Sequence, residues 1–196
     1  MNDPAKAPED LDPNSILIAE YQYIAQTAFQ ANEDRSRVST FYLVSVASFI
    51  AAVFTTLDDG VVQTNFIWAF FFLFAGLSLY GLFTLLQLAR LRNAWYESVG
   101  AMNRIKDYYI QHPGLPDLEA AFAWRGKSMP PKLKLTSVTF LSALQIAVLA
   151  CIMAGTAAAY WALAMKIAWL PVAAGIGLAF FIMQMVFFWW MLRTKK

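Results

Sequence analysis

The sequence predicts an all-α, polytopic membrane protein with four transmembrane helices, the first two extended into the cytoplasm as an antiparallel helical stalk. Three observations carry this. Hydrophobic residues make up 59% of the 196 residues and charged residues only 14%, outside the range of soluble domains. Residues 38–57, 66–89, 135–160 and 167–192 contain no Asp, Glu, Lys, Arg or His, and each reaches about the 20 residues that a helix needs to cross a hydrocarbon core. Apolar residues at spacings of three and four carry the first two runs on into polar sequence, as an amphipathic helix does.

Residues 1–12 are acidic and rich in Pro and Asp, without a basic stretch ahead of an apolar core. They read as a disordered tail with no cleavable signal peptide, leaving the first span to act as its own insertion signal. Asp12-Pro13 is a helix start, with Asp as N-cap and Pro at the first position. In the amphipathic helix expected over 13–37, Leu17, Tyr21, Ile24, Ala28 and Ala31 form a heptad seam, and Glu33 stands four residues before Arg37, the favourable order for an ion pair. No Pro or Gly separates this helix from the span at 38–57. The DDG turn at 58–60 makes 38–89 a transmembrane hairpin. Its second span continues into the cytoplasm through Leu88, Leu91, Trp95, Ser98, Met102, Ile105 and Tyr109 until His112-Pro113-Gly114 stops it, a helix of roughly 70 Å. The two seams predict a coiled-coil stalk with Leu17, Tyr21, Ile24, Leu91, Trp95, Met102 and Tyr109 as its interface.

Segment 90–134 ends with a short helix at 117–125, expected at headgroup level, and Arg125, Lys127, Lys132 and Lys134 are the candidate lipid-headgroup contacts. Pro130-Pro131 resets the chain for a second hairpin, 135–192, with spans 135–160 and 167–192 and Pro171 in a first helical turn, where it is tolerated. Residues 193–196 form a basic tail. Fourteen of the fifteen Lys and Arg residues fall before the first span, in 90–134 or in this tail, and Lys166 alone falls between the last two spans. The positive-inside rule then places both termini in the cytoplasm. Trp68, Trp161 and Trp169 mark the outer interface, with Trp189 and Trp190 at the inner one.

No catalytic constellation is visible. His112 is the sole histidine and Cys151 the sole cysteine, too few for a zinc site or an intramolecular disulfide. Cys151 reads as a small hydrophobe, Glu33-Asp34 as surface charge and Asp58-Asp59 as a polar turn. Spans without ionisable groups argue against a coupled transporter. A net charge of +2 argues against nucleic-acid binding, and no cofactor is implied. Among the polar residues in the spans, Ser45, Ser48, Gln145 and Gln184 are the candidate interhelical or pore-facing positions. Their amides and hydroxyls join helices or subunits in one reading and line a water-filled pore in the other. Gly76, Gly81, Gly155, Gly175 and Gly177 offer sites of close helix approach.

Residues 20–54 resemble the opening of small bacterial membrane proteins of unassigned function, and their helix layout is similar to that of SLATT-type two-span effectors of bacterial conflict systems. That resemblance implies a membrane pore opened when a nucleotide-sensing partner signals. The second pair of spans departs from the group, and no functional residue carries over. The expected function is that of a non-enzymatic integral protein of the inner (cytoplasmic) membrane that self-associates as a scaffold or docking component. Its partners would be membrane lipids, further copies of itself and a cytoplasmic protein. The alternative is a regulated ion channel or pore-forming effector of a bacterial defence system.

Overall fold

The structure is a computed structural model that describes residues 13–57, 64–111, 129 and 131–193. The N-terminal tail, the 58–60 turn, His112, Arg125 and Lys127 lie outside the described residues. Four helices follow in order: α1 Pro13–Leu57, α2 Thr64–Ile110, α3 Val138–Ala164 and α4 Trp169–Arg193. Among the described residues all regular structure is helical, and all four helices are long and apolar enough to cross a bilayer. The chain is a multi-pass membrane protein.

Helix ends follow local chemistry. α1 begins at Pro13, whose fixed φ suits a first turn. α3 begins at Val138, three residues after the start of the apolar run. There Ser137 adopts an extended conformation and its Oγ accepts from the Phe140 N–H, satisfying one of the donors a helix start leaves open. The helix runs on to Ala164 because residues 161–164 hold no breaker. It closes with Lys166 N–H on the Leu163 carbonyl and Ile167 N–H on the Ala162 carbonyl, the two bonds of a Schellman motif. Lys166 takes the left-handed position of that motif, at φ 57°, where glycine is usual.

The chain forms two compact units, residues 1–31 with 94–130 and residues 32–93 with 131–196. In the first, Ala28 and Ala31 of α1 and Val99 and Asn103 of α2 are buried. Leu17, Tyr21 and Ile24 are half-buried beside them, while Ile18, Tyr23 and Phe29 are exposed. In the second, Tyr42, Leu85, Leu88, Ile146 and Phe188 anchor the core. Tyr160 of α3 packs on Phe70 and Phe74 of α2, with centroids 5.3 and 5.9 Å apart, separations at which aromatic pairs attract. The exposed ion pair in this unit joins Asp34 to Arg37 at 3.9 Å, in place of Glu33 to Arg37. At such exposure it contributes little stability.

Candidate functional site

Within the second unit, three helices converge at Gly81. A methyl group there would lie 2.6 Å from Ala150 Cβ and 2.6 Å from Tyr42 Oη, so the absence of a side chain is what lets Tyr42 fill the junction. The Tyr42 hydroxyl is buried without a hydrogen-bond partner. α3 and α4 meet as closely through Gly155 and Gly177: a methyl on Gly155 would lie 3.0 Å from the Ala173 carbonyl oxygen, and one on Gly177 3.1 Å from that of Cys151. Gly76 and Gly175 face open space instead.

A polar layer lies where the four helices change from apolar to charged sequence. Arg35 Nη1 donates to Thr139 Oγ1 at 2.7 Å, and Thr139 is buried. Arg92, also buried, donates through Nε to the Lys132 carbonyl at 3.1 Å and through Nη2 to the Pro131 carbonyl at 3.4 Å. Asn93 Nδ2 donates to the Met191 carbonyl at 3.3 Å. The Arg35 bond ties α1 to the start of α3, and the others fix the approach to α3 and the end of α4 to α2. Neither arginine nor either threonine or asparagine stands out in an apolar-stripe search, which passes over polar residues. The one available signal was the placement of Arg92 four residues after Leu88 on the buried face.

The four candidate interhelical or pore-facing residues differ in burial. Gln184 is fully buried and neither atom of its amide has a partner. Ser45 is half-buried, while Ser48 and Gln145 are exposed on the sides of their helices. Other span hydroxyls bond back to their own helices, Ser78 to the Ala75 carbonyl, Thr84 to Tyr80 and Thr156 to Ile152, as is common for such groups. Cys151 is half-buried and its thiol donates to the Val148 carbonyl.

The candidate stalk residues fall in both units. Leu91, in the second unit, is half-buried. In the first, Trp95, Met102 and Tyr109 are half-buried, flanking the fully buried Val99 and Asn103. The deepest burial on α2 thus runs through Leu88, a member of the apolar stripe, and through Arg92, Val99 and Asn103, each one residue beyond a stripe position. Both amide atoms of Asn103 lack partners. An apolar groove of about 340 Å³ lies between Leu17, Ile18 and Tyr21 near the start of α1 and Ile105, Lys106 and Tyr109 near the end of α2. Of the candidate headgroup residues, Lys132 is half-buried and Lys134 exposed. Among the described residues, no three His, Cys, Asp or Glu side chains are placed to share a metal ion. No protein-family model, curated protein or solved structure matches this chain.

Proposed function

We propose that this protein is a non-enzymatic component of the cytoplasmic (inner) membrane that self-associates through the uncovered faces of α1 and α4, as a scaffold or docking element. The observation that carries this reading is the unequal cover of the spans: α1 and α4 each bury only 11% of their most apolar window, against 39% for α2 and 44% for α3. Their uncovered faces are not uniformly bulky. Ala47, Ser48 and Ala51 are exposed on α1, and Gly175 and Ala179 on α4, at the small-xxx-small spacing that lets membrane helices approach. The exposed Gln145 amide adds a group that lipid tails leave unsatisfied and a neighbouring helix does not. The distribution of Lys and Arg supports cytoplasmic termini, and the groove of the first unit is a surface for a cytoplasmic partner.

Conduction by a single chain has no comparable support, since Ser45, Ser48, Gln145 and Gln184 range from fully buried to exposed. The test uses a Cys151→Ala background with Ser48→Cys or Gly175→Cys, oxidised in native membranes. Both variants are expected to give disulfide-linked dimers on a denaturing gel, and Ala147→Cys, at a fully buried position, to stay monomeric. Monomer at every position overturns the reading. Conductance in planar bilayers confined to the assembled form would favour the pore that the SLATT resemblance implies.

A further inference from the structure

The second unit carries an apolar groove of about 350 Å³ at the junction of α3 and α4, near the lower limit of small-molecule sites, roughly 300–1,000 Å³. Its walls are Leu133, Leu135 and Phe140 on one side and Met185, Phe188 and Trp189 on the other. Two cations adjoin its lining residues, one in sequence and one through an aromatic ring. Lys134, exposed, lies in the chain between the lining residues Leu133 and Leu135. The Arg193 guanidinium lies 4.7 Å from the centre of the Trp189 ring, close enough for the ring face to hold it. Nothing nearby in sequence neutralises them: residues 131–196 contain six Lys and Arg and no Asp or Glu. The N-terminus of α3 adds partial positive charge at the same end.

We propose that this groove is a binding site for one anionic glycerophospholipid, an acyl chain lying along the Phe140 and Phe188 walls and the phosphate between Lys134 and Arg193. The charge selects this occupant. A helix from a second copy would fill the apolar walls but leave both cations unanswered, whereas an anionic amphiphile satisfies walls and cations together. The site is independent of self-association: it needs only α3, α4 and the residues that lead into α3.

The full-length protein is purified, exchanged into detergent and offered equimolar phosphatidylglycerol and phosphatidylcholine, and bound lipid is counted by native mass spectrometry. One phosphatidylglycerol should be retained in preference. Lys134→Gln with Arg193→Gln should weaken that preference about thirtyfold, from the contribution of each basic residue near an anionic lipid. Val186→Trp, which fills the groove at another lining position, should release lipid of both kinds. Lys166→Gln, in the turn at the other end of α3, should change nothing. Equal retention of the two lipids, or a preference that survives the double substitution, overturns the proposal. So does a Val186→Trp variant that keeps its lipid and instead loses a dimer, because the groove would then belong to a second copy.

Discussion

Helices α2 and α4 are equally apolar, yet α2 buries 39% of its spanning window and α4 only 11%. α3, of nearly the same hydropathy as these two, buries 44%. What separates a covered span from an uncovered one is therefore not hydrophobicity. α3 presents small residues to its neighbours, with Ala143, Ala147, Ala150, Ala154 and Gly155 among those it buries. α4 buries only Gly177, Gln184, Phe188 and Leu192. In lipid a leucine gains nothing by leaving the tails for another apolar surface, so close approach of backbones decides which faces pack. The middle helices of this protein are defined by size and fit, and the outer ones by what they leave uncovered.

The sharpest way to break that contrast is a pair of leucine truncations. Leu85 in α2 is fully buried, and Leu178 in α4 is 62% exposed. Leu85→Ala should lower stability by about 2–4 kcal/mol through the cavity it leaves, read as a shift in reversible unfolding in mixed micelles. Leu178→Ala should stay within about 0.5 kcal/mol of the parent. Equal losses at the two positions would mean that α4 is packed after all. A second pair lies within α4 itself. Gly177→Ala forces a methyl to 3.1 Å from the Cys151 carbonyl oxygen and should cost about 1–3 kcal/mol. Gly175→Ala, two residues earlier, meets no atom within 4 Å and should be neutral or slightly stabilising, as alanine is the better helix former.

Sequence reading captured the spans because each is a long run without charge, a signal that survives any detail of packing. It also captured the continuity of α1 and α2 across the change from apolar to amphipathic sequence: no Gly interrupts α1, and the apolar spacing of α2 carries on past Gly100. Ends of helices were legible to within a few residues, and the reasons for the differences are particular. The Leu135 to Ser137 stretch is apolar or neutral but caps α3 instead of joining it. Lys166 occupies a position for which the sequence signal is glycine, so the Schellman turn left no trace in composition. The buried face of α2 shares Leu88 with the apolar stripe but also includes Arg92 and Asn103, and a search for apolar stripes steps around both. The grouping of Ser45, Ser48, Gln145 and Gln184 by polarity and depth carried no information about burial, which ranges from the fully buried Gln184 to the exposed Ser48 and Gln145. The lipid groove was beyond sequence altogether, because Leu133 and Met185 are about fifty residues apart and meet only through the α3–α4 turn.

The two glutamines turn the same contrast into a measurement on polar groups. Gln145 lies exposed on α3. Gln145→Leu should leave the unfolding of the single chain unchanged while weakening self-association by roughly 0.6–2 kcal/mol, the contribution of an interhelical amide in a membrane. Förster transfer between labelled copies in liposomes reads that loss as a shift in the dilution midpoint. If the midpoint does not move, Gln145 faces lipid in the assembly as well, and the association surface excludes that side of α3.

Gln184 should give a small effect with the most informative sign. Its side chain has no exposed surface and both amide atoms lack partners, so the folded chain bears the cost of dehydrating an amide without the bond that normally offsets it, about 1–3 kcal/mol by mutational measures. Leucine has nearly the same volume and no such cost. Gln184→Leu should therefore leave stability unchanged or raise it by up to about 1 kcal/mol, since apolar replacement of an unsatisfied buried group is close to neutral. Unfolding in mixed micelles checks the sign directly. A loss above about 1 kcal/mol would show that the amide has a partner in the bilayer, and it would move Gln184 from a burden on the α4 packing face to the element that holds it.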